Sequence, residues 1–276
     1  MDSAALITKA EKLQALIHSP EALVLPNVWD AGSARIVEEA GFPVIATSSG
    51  GIAWALGYPD GENISRDEML FMVQRIIDVV DLPVTVDMEA GYGETPEAVA
   101  DTVYATLKAG AVGANIEDSS KRMEGHQLLD FALSVERIRA GKAAADAVGV
   151  PFVINARTDG FYGGGDGNSF KETVQRADAY FEAGAGCVFI PFVRDKDLII
   201  NLVKAIDGPI NILTGSASPT IPELQEIGVA RISIGGLFSL MSYTHVRTAC
   251  QEIGNYGTYD WAKGVIQHPD MNRLMK

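Results

Sequence analysis

The chain is short of cysteine, histidine and positive charge, and it has no long apolar run. Each shortage removes a class of function. There are 2 cysteines and 4 histidines in 276 residues. Cys187 lies in an apolar stretch and Cys250 on a helix-like one. Neither a disulfide framework nor a zinc-binding pattern is present, so both read as buried structural thiols of a cytoplasmic protein. No segment approaches the ~20 apolar residues that span a bilayer, so no membrane partner is expected. The N-terminus lacks a basic start followed by an apolar stretch, so no secretory signal is expected either. Lys and Arg total 22 against 36 Asp and Glu, a net charge of -14. That balance argues against nucleic acid. An anionic ligand would need a local cluster of cations or a metal ion.

What is present is apolar and regular. Hydrophobic residues make up 47% of the chain, enough for one large core. Eight short β-rich runs, at 23–28, 44–49, 84–89, 113–118, 152–158, 187–192, 210–214 and 231–236, alternate with amphipathic stretches. Most are continuous apolar runs, as expected of strands covered on both faces. The helical stretches cover 31–40, 66–80, 96–109, 127–148, 170–183, 195–206, 222–227 and 237–253. Asp30, Ser65 and Thr95 sit where N-caps belong, and Gly110, Gly184 and Gly228 where helices stop. Eight βα units predict an α/β fold, a (β/α)8 TIM barrel over residues 1–276 as a single domain. Residues 3–18 read as an extra N-terminal helix and 254–276 as a C-terminal helical tail bearing Trp261.

In such barrels the chemistry sits at the C-terminal strand ends. The second strand ends in Thr47-Ser48-Ser49-Gly50-Gly51, either a cradle for a carboxylate or phosphate or a flexible loop. Asp60 lies in a turn, Gly57 to Gly61. The third strand ends in Asp87-Met88-Glu89-Ala90-Gly91-Tyr92-Gly93. Period-two alternation puts Asp87 and Glu89 on one face, toward the barrel centre. Glu117-Asp118 adds acids at the same rim. Oxygen ligands without a His or Cys cluster favour Mg2+, or Mn2+, over Zn2+. Asp87 would bind directly while Glu89 and Glu117 hold the waters. Arg157, after an apolar strand, needs an anion: a substrate, the neighbouring acids, or both. Asn211 offers a neutral hydrogen-bonding group. The loop 119–126 carries Lys121, Arg122, Glu124 and His126, and the glycine-rich run 163–167 reads as a candidate lid.

Taken together and in order, Asn27-Val28-Trp29-Asp30-Ala31, Thr47-Ser48-Ser49-Gly50, Gly57-Tyr58-Pro59-Asp60, Asp87 to Gly93, Ile116-Glu117-Asp118 and Asn155-Ala156-Arg157-Thr158-Asp159 resemble the isocitrate lyase/phosphoenolpyruvate mutase superfamily. The resemblance spans roughly residues 23–248. It implies a barrel whose eighth helix is exchanged between subunits, a homo-oligomer (dimer or tetramer), Mg2+, and a small anionic keto or hydroxy acid as substrate. It implies Asp87 as metal ligand with Glu89 and Glu117 behind it. Ser48, Ser49 and Gly50 would hold a carboxylate, Asp60 would line the metal site, and Arg157 and Asn211 would reach the substrate. One segment departs from the pattern. The isocitrate and methylisocitrate lyases carry Lys-Arg-Cys-Gly-His, with Cys as general acid. This chain reads Lys121-Arg122-Met123-Glu124-Gly125-His126, and a thioether cannot donate a proton. Glu124 or His126 would then be the acid, with Lys121 and Arg157 beside it. The Lys-Thr-Asn segment of the phosphonate mutases is also absent. The expected activity is Mg2+-dependent cleavage of a C–C bond in an oxaloacetate- or methylisocitrate-like acid. The alternatives are P–C chemistry, or weakly catalytic binding of α-keto dicarboxylates.

Overall fold

The computed structural model describes residues 3–120 and 127–276. Helix α1 (Ser3–Ile17) precedes the barrel. The parallel strands are β1 (Leu23–Leu25), β2 (Asn27–Val28), β3 (Ile45–Thr47), β4 (Val84–Asp87), β5 (Gly113–Glu117), β8 (Val153–Arg157), β9 (Cys187–Ile190), β10 (Ile210–Leu213) and β11 (Arg231–Ser233). A small antiparallel pair, β6 (Ser119–Ser120) and β7 (Gln127–Leu128), stands apart from them. The helices after α1 are α2 (Ala31–Glu39), α3 (Ser49–Ala55), α4 (Arg66–Ile77), α5 (Pro96–Ala109), α6 (Phe131–Val148), α7 (Gly167–Glu182), α8 (Lys196–Ala205), α9 (Ile221–Ile227), α10 (Leu237–Tyr256) and α11 (His268–Leu274).

Nine strands make an eight-membered ring because β1 and β2 are one strand interrupted at Pro26, which has no N–H to give a ladder. The lower half pairs with β11, Leu23 opposite Arg231, and the upper half with β3, Val28 opposite Thr47. The side chain of Asn27 clasps the seam. Its Oδ1 accepts from the N–H of Ile234 at 3.0 Å and of Gly235 at 2.8 Å, and its Nδ2 donates to the Thr47 carbonyl at 2.8 Å.

Local chemistry sets the helix ends. Asp30, Ser65 and Thr220 each form a reciprocal capping box, and Gly110, Gly149 and Gly228 end helices in the left-handed conformation. Several expected boundaries shift for the same reason. Residues 127–130 are not helical, because Asp130 caps α6 at Leu133. Asp166 caps α7 through Asn168 and Ser169, so the candidate lid ends in a helix start. Ser49 belongs to a helix capped by Ser48 rather than to a loop. Cys250 is exposed, not buried, because α10 buries only Ser239.

Helix α1 covers one end of the barrel: a Cβ at Gly113, the first residue of β5, would lie 3.0 Å from Leu13 Cδ2. The barrel interior is polar at mid-height. Asn155 Nδ2 donates to Asn115 Oδ1 at 2.7 Å and Asn211 Oδ1 at 3.1 Å, and Asn211 donates to Ser233 Oγ at 3.0 Å. Beside them the guanidinium of Arg231 is buried, and burial lowers its pKa.

Candidate active site

The open end of the barrel holds a cavity of about 730 Å3. Ser48, Ser49, Gly50, Asp60, Asp87 and Arg157 all reach it, so six of the residues expected from sequence meet in one place. Gly235 and Gly236 also line it.

Asp87 ends β4 and is held by its neighbours. Its Oδ2 accepts from Ser49 Oγ at 2.9 Å, its Oδ1 from the Glu89 N–H at 3.4 Å, and its own N–H donates to Thr47 Oγ1 at 2.9 Å. Ser49 Oγ also reaches Asp60 Oδ1 at 3.3 Å. These bonds fix the carboxylate with its face to the cavity. Glu89 arrives differently from the alternation argument. The strand stops at Asp87, Met88 is buried, and Glu89 has φ +50°, a left-handed turn rather than a strand position. Its Oε2 accepts from the Glu62 N–H at 2.8 Å. Four carboxylates, from Glu89, Glu62, Asp87 and Asp60, act on the Tyr92 phenol. Burial first and then those charges push its pKa far up.

Arg157 ends β8. It pairs with neighbouring acids, one of the two partners that sequence left open, and it lines the cavity. Nη1 lies 2.7 Å from Glu117 Oε2, Nε 2.6 Å from Asp159 Oδ1, and Nη2 2.9 Å from Asp159 Oδ2. Burial works against its charge, but Glu117 and Asp159 outweigh it and hold the pKa above the ordinary value. The guanidinium also lies 5.8 Å from the ring centres of Phe189 and Phe192.

Behind this layer lies one that sequence reading missed. Asp118 accepts from the Asp159 N–H at 3.0 Å and from Tyr180 Oη at 2.7 Å, and it faces Arg176 Nη1 at 3.3 Å. Arg137, from α6, donates to the carbonyls of Glu117 at 3.1 Å, Gly93 at 3.2 Å and Ala90. Its side chain ties the loop after β4 to the end of β5. The available signal was a basic residue on the buried face of a helix, Arg137 on α6 and Arg176 with Tyr180 on α7.

Not every expected residue comes to the cavity. Asn211 is fully buried in the polar layer of the barrel interior. Lys121, Arg122, Met123, Glu124 and His126 lie outside the described residues. The β6–β7 pair, Ser119 opposite Leu128, brings the two ends of that segment together beside Asp118 and Asp159.

A divalent cation fits this donor set. Asp87 and Asp60 present carboxylate oxygens to the cavity, with Glu89 and Glu117 behind them. All are hard oxygen donors suited to Mg2+ or Mn2+. Among the described residues no three His, Cys, Asp or Glu side chains converge as direct ligands. One direct carboxylate with the rest reached through water is what Mg2+, which dehydrates reluctantly, accepts.

The site thus belongs to a parallel α/β barrel with an acidic rim and a buried arginine at its open end, and comparison with known proteins says which family shares that barrel. The profile of the phosphoenolpyruvate phosphomutase family matches residues 13–254. The 2-methylisocitrate lyase of Escherichia coli is 33% identical over 262 residues, covering 91% of this chain and 84% of its own. A solved Burkholderia cenocepacia protein, described only as broadly as lyase or mutase, superposes with a TM-score of 0.91 at 35% identity, covering 98% and 96% of the two chains. Oxaloacetate acetylhydrolase bound to 3,3-difluorooxalacetate superposes at 0.87 with 25% identity, covering 98% and 93%. The chain therefore belongs to the phosphoenolpyruvate phosphomutase family, within the isocitrate lyase/phosphoenolpyruvate mutase superfamily.

Proposed function

We propose that the protein is a Mg2+-dependent lyase that cleaves a C–C bond in a small α-keto or α-hydroxy carboxylic acid, oxaloacetate- or methylisocitrate-like. The observation that carries this reading is the pairing, in one cavity, of a serine-held Asp87 with a doubly paired Arg157. Asp87 would hold Mg2+, with Glu89, Glu117 and Asp60 around it, and the ion would supply positive charge to a bound carboxylate and the oxygen next to it. Arg157 takes a carboxylate with the N–H edges that Glu117 and Asp159 leave to the cavity, and their pairing fixes its plane. Ser48, Ser49 and Gly50 hold the other end. In the hydroxy-acid case the hydroxyl proton passes to a carboxylate of the acidic rim, and the oxygen becomes the keto group of one product. The electron pair of the broken C–C bond moves to the carbon next to the second carboxylate, and that carbon then takes a proton. Glu124 or His126 is the proposed donor, with Lys121 beside it. Relatives with such chemistry support the reading: 2-methylisocitrate lyase, 2,3-dimethylmalate lyase and oxaloacetate acetylhydrolase. A phosphoenolpyruvate phosphomutase of Streptomyces hygroscopicus at 31% identity keeps P–C chemistry as the second reading.

The protein is further proposed to be a homo-oligomer, dimer or tetramer, with the eighth barrel helix passed between subunits. A cytoplasmic setting suits its two unpaired thiols.

Proton NMR with Mg2+ and a panel of oxaloacetate, methylisocitrate, substituted malates and phosphonopyruvate tests the activity. Keto acid should appear from a C–C substrate. Asp87→Ala should lower turnover at least a thousandfold and abolish the rise in melting temperature that Mg2+ gives the wild type. Consumption of phosphonopyruvate alone would replace the lyase reading with the P–C one.

A further inference from the structure

The polar residues occupy only part of the cavity. The cavity, about 730 Å3 and open to solvent at the mouth, has room for more than a four-carbon diacid. The rest of the lining is Trp54, Tyr162, Phe189, Pro191, Phe192 and Leu213. Phe189 and Leu213 lie on β9 and β10, and Pro191 and Phe192 follow β9. In the ring order these strands stand three or four places round from β3 and β4, which bring Ser48, Ser49 and Asp87. The β9 and β10 side of the mouth is thus apolar, and Trp54, on α3 with Ser49 and Gly50, adds an indole from the polar side.

The apolar groups are held in place from both sides of the mouth. The Trp54 ring lies where side chains at Gly50 and Gly236 would intrude, their Cβ atoms falling 3.2 and 3.0 Å from its carbons. Phe192 is held at φ +66°, a conformation a bulky residue rarely adopts. Its ring meets Tyr162 edge to face at 5.2 Å. Arg157 lies against both Phe189 and Phe192, so a carboxylate held by Arg157 sits at the foot of this wall.

We infer that the preferred substrate is a malate-type acid carrying an apolar substituent longer than methyl, seated against Trp54, Phe189, Phe192 and Leu213. The inference rests on the lyase reading for the reaction and on the cavity wall for the substituent. Burying each added methylene is expected to tighten binding about fourfold. A third carboxylate in that position would trade water for aromatic carbon that offers no hydrogen-bond donor, so tricarboxylic acids should bind more weakly.

Titration calorimetry of the full chain in Mg2+ with methyl-, ethyl-, propyl- and butylmalonate separates the two claims, since malonates have no hydroxyl or keto group to react. Affinity should rise about fourfold per methylene. Flat or falling affinity along the series, or no malonate binding at all, would overturn the inference. Phe192→Gly removes the ring and suits the positive φ, so it tests the wall without straining the fold. The rise per methylene should drop to twofold or less, and Leu213→Trp should reverse it for butyl. A rise unchanged in both variants would place the substituent elsewhere and also overturn the inference. Parallel NMR assays with 3-alkylmalates read the reaction. Graded affinity without any C–C cleavage would sink the lyase reading and leave the wall standing, while cleavage indifferent to chain length would do the opposite.

Discussion

Arg137 shows how far single side chains outside the cavity set its geometry. It is buried, its pKa is lowered mainly by burial, and its donors go to three backbone carbonyls rather than to a carboxylate. A planar fork can serve Glu117, Ala90 and Gly93 together, whereas an ammonium cannot span them. Arg137→Lys should therefore leave Asp87 in place but loosen the turn that carries Glu89. The expected result is a ten- to hundredfold rise in the Mg2+ dissociation constant, measured by calorimetry, the range for removing a group that orients metal ligands. An unchanged constant with lowered melting temperature would make Arg137 purely structural. The same residue marks where sequence reading stops. Asp87, Glu117 and Arg157 were legible because a strand end and a charge announce themselves in one dimension. Glu89 was legible in type but not in position, because nothing in the local pattern reveals a left-handed turn after Met88. Arg137 and Arg176 serve partners 20 to 58 positions away in the chain, a separation that periodicity does not encode.

At the scale of elements, the alternation of strands and helices was readable, but α3 and the β6–β7 pair were not, and several helix ends moved where a cap decides. Helix α7 illustrates what an element adds. Its apolar face carries a polar pair, Arg176 and Tyr180, one turn apart, both against Asp118 at the end of β5. Burial pushes the Asp118 carboxyl up, while Arg176 and Tyr180 pull it back down. Burial, and then Asp118, raise the Tyr180 phenol well above its ordinary value. The native state thus keeps a proton that the unfolded chain releases above about pH 10. Fewer protons bound in the unfolded state means that stability falls as pH rises beyond that point, by about 1.4 kcal/mol per pH unit for one such group. In Tyr180→Phe the alkaline fall in urea-unfolding free energy should be shallower by about that amount per unit, although stability at neutral pH is lower. Parallel curves for the two proteins would show that Tyr180 ionises normally in the fold.

At the scale of the molecule, α10 and the tail stand out. Leu237, Leu240, Met241, Val246, Trp261 and Ile266 are all exposed, and α10 buries only Ser239. So much apolar surface on one long helix and its tail is more than a lone soluble chain usually leaves in water. Sedimentation at micromolar concentration should find dimers or tetramers, and Val246→Glu with Met241→Glu should shift the population to smaller species. A monomer in the unaltered protein would remove the oligomer from the proposal. The split strand at Pro26 has a consequence in time rather than in space. The first barrel strand is made early, yet one of its neighbours, β11, and the backbone that Asn27 clasps come 208 positions later. Until synthesis reaches β11 the ring has an open edge, and a contact of such long range is slow to form. Until β11 is made, the lower half of the first strand lacks its neighbour and the barrel is unfinished. The Asn27 side chain, waiting for Ile234 and Gly235, marks where the last joint is made.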